Sequence, residues 1–255
     1  MRKDGEKMLY NYHTHTTYCD GKSSAEETVQ KAIDLGLSEI GFSGHSYTAF
    51  DLGPCMTREA TECYKNEINF LKEKYKGKIK ILLGIEYDYQ SNEPRDGYDY
   101  ILGSVHYILK NGEYLCIDRS REKQIDDVNR FYNGDFYAYA EYYYSLVADL
   151  YNKTECDIIG HFDLITRFNF DGSLFDVKNP RYISAWKAAA DAVLKTPAVV
   201  EINTGGIAHG YVKNPYPAEE IIKYFKANGK KMIFSSDCHD KNFLLCEYDS
   251  VKKYL

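Results

Sequence analysis

Tyr12-His13-Thr14-His15, with Thr16-Thr17-Tyr18-Cys19-Asp20-Gly21 behind it, reads as the end of a short strand over residues 9–12 that opens into a polar loop. In an extended chain, side chains at i and i+2 point the same way. His13 and His15 would then present two imidazoles to one point, and neutral imidazole is a common transition-metal ligand. Asp20 follows at loop distance and could add a hard anionic oxygen. A lone pair of this kind is better read as two surface or capped histidines beside a turn. The reading changes because the arrangement recurs down the chain.

Outward from that stretch, Ser23-Ser24-Ala25-Glu26-Glu27 carries a capping-box pattern, so a helix should run to Leu35 and stop at Gly36. A short apolar strand over 38–43 leads to His45. Residues 57–75 have helical spacing, with Tyr64, Ile68, Leu71 and Tyr75 on one face and Gly77 closing it. Strands follow over 78–85, ending at Glu86, and over 100–105, ending at His106. Asn111-Gly112 marks a hairpin turn. Residues 122–131 and 136–151 read as helices. A strand over 157–160 ends at His161, and a helix covers 181–194. A strand over 198–202 precedes Asn203-Thr204-Gly205-Gly206, and a helix spans 217–227. A last strand over 231–235 ends in Ser236-Asp237-Cys238-His239, and residues 240–255 form a short closing helix. No linker divides the chain, so residues 1–255 are expected to form one domain.

Seven strands separated mostly by helices imply a parallel sheet with right-handed crossovers. The reactive residues fall at the carboxyl ends of the strands, which is where a closed β/α barrel keeps its active site. The fold expected is therefore an α/β distorted (β/α)7 barrel. An open doubly wound sheet is the alternative. It would gather its ligands at one crevice, which fits seven converging strand ends less well.

Six of the seven histidines (His13, His15, His45, His106, His161 and His239, but not His209) lie at or just past strand ends, as do Asp20, Glu86 and Asp237. Asp237-Cys238-His239 repeats the i, i+2 spacing of His13 and His15. Any one of these has a bland explanation, such as a surface histidine or a helix-capping aspartate. Their coincidence points to a multinuclear metal site. Mixed imidazole and carboxylate donors suit Zn²⁺, Mn²⁺ or Fe rather than the oxygen cages of Ca²⁺ and Mg²⁺. Nine donors are too many for one divalent ion and enough for three if Glu86 bridges. Three divalent cations would outweigh the three carboxylates, so the centre attracts anions and lowers the pKa of bound water to about 7. A small phosphate ester is the natural substrate.

Composition sets the limits. The chain has 255 residues, 44% hydrophobic and 27% charged, enough for a substantial core. A net charge of -6 gives no global basic surface, which counts against long nucleic acid as a partner. Seven scattered cysteines without a Cys-x-x-Cys motif fit reduced thiols in the cytosol. Residues 1–8 are charged and hold no apolar leader segment, and no apolar run is long enough to span a bilayer. A soluble cytoplasmic protein with no membrane partner is expected. Tyr137, Tyr139, Tyr142, Tyr143 and Tyr144 should pack their rings while their hydroxyls reach water.

The motifs together resemble the PHP (polymerase and histidinol phosphatase) superfamily, and within it the stand-alone histidinol-phosphate phosphatases. The matching pieces are His13-Thr14-His15 with Asp20-Gly21, Ser43-Gly44-His45, Gly84-Ile85-Glu86, Gly103-Ser104-Val105-His106, Gly160-His161-Phe162-Asp163, Glu201-Ile202-Asn203 and Ser236-Asp237-Cys238-His239. The resemblance implies a trinuclear site. One ion would be held by His13, His15, Glu86 and Asp237, a second by Glu86, His106 and His161, and a third by Asp20, His45 and His239. It also implies that Arg167 binds phosphate; a structural ion-pair partner is the alternative, and the match to the motif favours phosphate. The arginine usual after Asn-x-x-Gly is missing from Gly206-Ile207-Ala208-His209-Gly210. His209 either replaces it when protonated or is a loop histidine without a role. Gly44 stands where an acidic residue is common.

The activity implied is hydrolysis of a small phosphomonoester, L-histidinol phosphate first. Asp163, two residues past His161, would either protonate the leaving group or orient a ligand. The remaining lysines and arginines read as solvated surface. A phosphoesterase or exonuclease acting on nucleotides or short oligonucleotides is a second reading. A metal-binding protein without turnover is a third.

Overall fold

A computed structural model describes residues 8–255. The expected absence of a leader at residues 1–8 falls, Met8 apart, outside the described residues. Among the described residues nine strands form: β1 (Tyr10–Asn11), β2 (Glu39–Phe42), β3 (Lys80–Asp88), β4 (Tyr100–Ser104), β5 (Tyr107–Lys110), β6 (Glu113–Cys116), β7 (Ile158–Ile159), β8 (Val199–Asn203) and β9 (Met232–Ser235). Seven of them make one sheet in the order β1-β2-β3-β4-β7-β8-β9, with every pairing parallel. The order follows the chain without reversal, so there is no switch point and the doubly wound alternative fails.

The first and last strands meet past their ends. Cys238 N donates to His13 O at 3.0 Å, and His15 N donates to Cys238 O at 2.9 Å. The seam of the nearly closed barrel is thus made by the two motifs that carry His13, His15, Asp237 and His239. Below it, Asn11 Nδ2 donates to Ser236 Oγ at 2.7 Å. The result is a distorted (β/α)7 barrel.

The α-helices among the described residues are α1 (Ala25–Asp34), α2 (Arg58–Lys74), α3 (Arg121–Tyr132), α4 (Phe136–Thr154), α5 (Pro180–Leu194), α6 (Gly205–Ala208), α7 (Glu219–Ala227) and α8 (Tyr248–Val251). α1 begins at the expected box: Ser24 accepts from Glu27 N while the Glu27 carboxylate accepts from Ser24 N. Such a cap is worth about 1 kcal/mol. α2 is capped by Thr57 and buries Tyr64, Ile68 and Leu71, each contributing about 1.5–3 kcal/mol. β5 and β6 form the expected hairpin, with Asn111 and Gly112 both at positive φ as a two-residue turn requires.

Three expectations need correction, and one short helix is new. β3 runs on to Asp88, so Glu86 sits inside the strand rather than at its end. Gly205 and Gly206 open α6, because Thr204 O accepts from Ile207 N and Ala208 N. The chain end is not one helix but a 3-10 turn at Lys241–Phe243, then α8, then a 3-10 turn at Lys252–Tyr254. The hydroxyls of buried Tyr143 and Tyr144 find protein partners, Phe162 O at 3.2 Å and Tyr182 Oη at 2.9 Å, rather than water.

The core has two parts. A small cluster holds Tyr100, Leu102, Ile158 and Ile233, and a larger one joins the sheet to its helices. Tyr100 occupies space left by two glycines: a Cβ at Gly41 would lie 2.4 Å from its Oη, and one at Gly84 would lie 2.2 Å from its Cζ. Its hydroxyl donates to Tyr12 O at 2.6 Å. No helix among the described residues is long and apolar enough to cross a membrane.

Candidate metal centre

The barrel's closure delivers the first donors. His13 and His15 flank the seam, and their ring nitrogens reach the same two carboxylates. His13 Nε2 is 3.4 Å from Glu86 Oε2 and 3.4 Å from Asp237 Oδ1. His15 Nε2 is 3.5 Å from Glu86 Oε2 and 3.2 Å from Asp237 Oδ1. Glu86 lies at the centre: its Oε2 is 2.9 Å from His45 Nδ1, and its Oε1 is 2.9 Å from His161 Nε2 and 3.4 Å from His106 Nε2. Asp20 Oδ1 lies 3.3 Å from His239 Nε2 and 3.6 Å from both His15 Nδ1 and His45 Nε2. The structure therefore brings together all nine residues expected as metal donors.

Asp237 gets there by an unexpected route. Its φ of +47° is left-handed, not extended, a conformation that costs energy for a non-glycine residue and concentrates at functional sites. Gly205 makes the bend possible, since a Cβ there would meet Asp237 Cβ at 2.6 Å.

Three donor groups have ligand atoms all within 4.8 Å of one another: His15, Asp20, His45 and His239; His13, His15 and Glu86; and His45, Glu86 and His106. They overlap the three expected sets, but His15 and His45 each belong to two groups. The donors fit metal ions on a second ground. His13 Nε2, His15 Nε2 and Glu86 Oε2 are buried without a hydrogen-bond partner among the described residues. Buried polar atoms are rarely left so, and these three face one point.

Charge shows the same demand. Burial opposes the charged form of His13, yet Asp237, Glu201 and Glu86 hold its imidazole well above the ordinary value. Burial, with His239 and His45, pushes His15 down to about 3. Burial would raise Glu86, but His13, His45 and His106 hold its carboxyl well below the ordinary range.

Residues without an assigned role complete the shell. Glu201, inside β8, accepts from His161 N at 2.6 Å and Asn203 Nδ2 at 2.8 Å, is bonded by Ser235 Oγ, and sits 2.9 Å from His13 Nδ1. A fully buried acid in an otherwise apolar strand was a readable signal. Asp88, two residues past Glu86 in β3, accepts from His106 N at 2.8 Å and lies 3.3 Å from His106 Nδ1. Cys19 Sγ is 3.5 Å from His15 Nδ1, and a Cβ on Gly44 would meet that sulfur at 3.2 Å. The sulfur thus fills the space beside Gly44.

A cleft of about 440 Å³ opens over the cluster. Arg167 lines it, pairs with Asp118 at 3.0 Å and stacks over the Tyr211 ring at 4.1 Å. His209 lines it too, with its ring 5.3 Å from that of His239. Burial and then His239 keep the His209 imidazole below its ordinary value, which works against a protonated stand-in for arginine. Asp163 lies behind the cleft rather than on its lining. It is fully buried and is not among the residues lining the cleft. Its Oδ2 accepts from Ala218 N at 2.9 Å and so fixes the entry to α7. Lys22 and Arg119, read as solvated surface, line the cleft. Their placement depends on tertiary structure, which no local pattern reveals.

A β/α barrel whose mouth gathers imidazoles and carboxylates around one central glutamate defines a metal-binding barrel protein. The PHP domain family model matches residues 11–205, and the chain belongs to that family. It is 26% identical to a Schizosaccharomyces pombe protein named as a probable histidinol-phosphatase, over 97% of this chain and 86% of that one. It is 26% identical to the histidinol-phosphatase of Bacillus subtilis, over 89% of this chain and 92% of that one. The fold is shared with a Lactococcus lactis histidinol phosphate phosphatase solved with zinc, L-histidinol and phosphate (TM-score 0.66, 21% identity, 96% of this chain and 93% of that one).

Proposed function

We propose that this chain is a metal-dependent phosphomonoesterase that hydrolyses L-histidinol phosphate to L-histidinol and phosphate, a step of histidine biosynthesis. The observation that carries the reading is the convergence of six imidazoles and three carboxylates in one cluster beneath a cleft that presents Arg167. The names of the relatives, which run nearly the whole length of the chain, supply the substrate. Residues 1–255 act as one catalytic domain, and the scattered free thiols support a cytosolic setting.

Divalent ions (Zn²⁺, Mn²⁺ or Fe) would be held by three groups: His13, His15, Glu86 and Asp237; Glu86, His106 and His161; and Asp20, His45 and His239. Bound there, they supply Lewis acidity toward phosphoryl oxygens and a lowered pKa for water. The protein's own residues do the rest. Glu201 and Asp88 fix the ring orientations of His13 and His106, as carboxylates behind ligating histidines do. Arg167, pinned by Asp118 and Tyr211, adds positive charge against the phosphoryl group, which electrostatic stabilisation of the transition state needs. The cleft admits a small ester and positions it over the cluster.

The test is phosphate release by protein loaded separately with Zn²⁺, Mn²⁺ and Fe²⁺. L-histidinol phosphate is compared with a nucleoside bisphosphate and a short oligonucleotide. Preference for L-histidinol phosphate is expected. Preference for either nucleotide would move the reading to a nucleotide phosphoesterase. No release from any ester at full metal content would end it.

A further inference from the structure

Three basic side chains line the cleft: Lys22, Arg119 and Arg167. Two already have carboxylate partners, Asp118 for Arg167 and Asp51 for Arg119. Among the described residues, no carboxylate forms an ion pair with Lys22. A phosphate entering the cleft meets Arg167 with a negative charge beside it, so part of that cation's pull is already offset. Lys22 offers its charge without that offset.

The loop that carries Lys22 is tightly held. Lys22 N donates to His239 O at 2.7 Å, and Gly21 N donates to Thr16 O at 3.0 Å. The turn closes so closely that a Cβ on Gly21 would lie 2.5 Å from Thr16 N. Two residues earlier, Asp20 reaches His239, His45 and His15. The backbone of Lys22 is therefore fixed against the metal cluster, and its charge is close enough to act on His209 within the same cleft. Above such an anchored backbone, the lysine stem can bring a compact charge to a phosphoryl oxygen.

We propose that Lys22 is a second phosphate-binding cation of this site, acting with Arg167 on the phosphoryl group of the substrate. The assignment rests on the phosphomonoesterase reading for its substrate, but not for its test. Equilibrium binding of inorganic phosphate to metal-loaded protein is measured by calorimetry for wild type, K22M and K22R, with metal content determined on each preparation. K22M should weaken phosphate binding about tenfold, or about 1.4 kcal/mol, at unchanged metal content. K22R should recover to within about threefold of wild type. The KM for L-histidinol phosphate, and for a phosphomonoester lacking an amine, should rise in parallel in K22M.

Unchanged phosphate affinity in K22M would overturn the assignment. So would loss of metal in K22M, which would make Lys22 a structural residue of the Asp20 loop. A wild type that binds no phosphate would overturn it as well. A wild type that binds phosphate but cleaves no ester would sink the parent reading alone, and K22M would still decide the role of Lys22.

Discussion

His13 has one nitrogen facing the cluster without a partner and the other 2.9 Å from Glu201. That division of labour sets which nitrogen is free to ligate. Glu201→Gln keeps the shape but replaces one acceptor oxygen with a donor, so His13 and the His161 amide can no longer both be satisfied. Metal affinity should fall by about 10–100-fold, with the far-ultraviolet spectrum unchanged. Metal titration of the variant checks it, and wild-type affinity would mean that Glu201 only fills space. Arg167 tests the other side of the cleft. Among the described residues its guanidinium pairs with Asp118 and with no expected metal donor, so Arg167→Ala should raise KM by about tenfold or more, as expected for a lost charge-assisted contact, at unchanged metal content. Metal loss in that variant would reassign Arg167 to structure.

At the scale of elements, β3 and β4 show what the chain disclosed and what it withheld. The apolar runs, the capping box of α1, the face of α2 and the Asn111-Gly112 turn were legible because each is a local pattern. The donor residues were legible because parallel strands place their carboxyl ends on one face. Strands of two residues such as β1 and β7 have no period to read. Asp118, Lys22 and the seam at Cys238 depend on segments far apart in the chain. Gly84 belongs to this hidden class: its lack of a side chain makes room for a ring sixteen residues on, as the 2.2 Å approach to Tyr100 shows. Gly84→Ala should therefore overpack the barrel and cost about 1–3 kcal/mol. In a chain of this size that lowers the melting temperature by about 2–4 °C per kcal/mol. Pairing it with Tyr100→Leu should give a less-than-additive loss, since the two share one space. Full additivity would show that the clash is relieved elsewhere.

Over the whole molecule, the ends of the barrel are joined through the same residues that gather charge, so metal loading and stability should be coupled. Ions that bind the folded state alone stabilise it by about 4 kcal/mol per site at a thousandfold excess over Kd. Protons compete for the same lone pairs. His13, His45, His106 and His239 are all held above the ordinary histidine value, burial being outweighed mainly by Glu86, Asp20 and Asp237. For such groups the contribution to stability is complete below the unfolded value, about 6.5, and is lost as pH rises through the raised folded value. His15, already pushed down to about 3, adds no proton at neutral pH. Metal-free protein should thus lose stability as pH rises above about 6.5 and through the raised folded values, while metal binding strengthens as its competitor leaves. The gap in melting temperature between metal-loaded and chelated protein should widen over that range, and loading near neutral pH should release protons, seen as a buffer-dependent heat in calorimetry. A gap independent of pH, with no proton release, would mean that the imidazoles are not the groups that hold the ions.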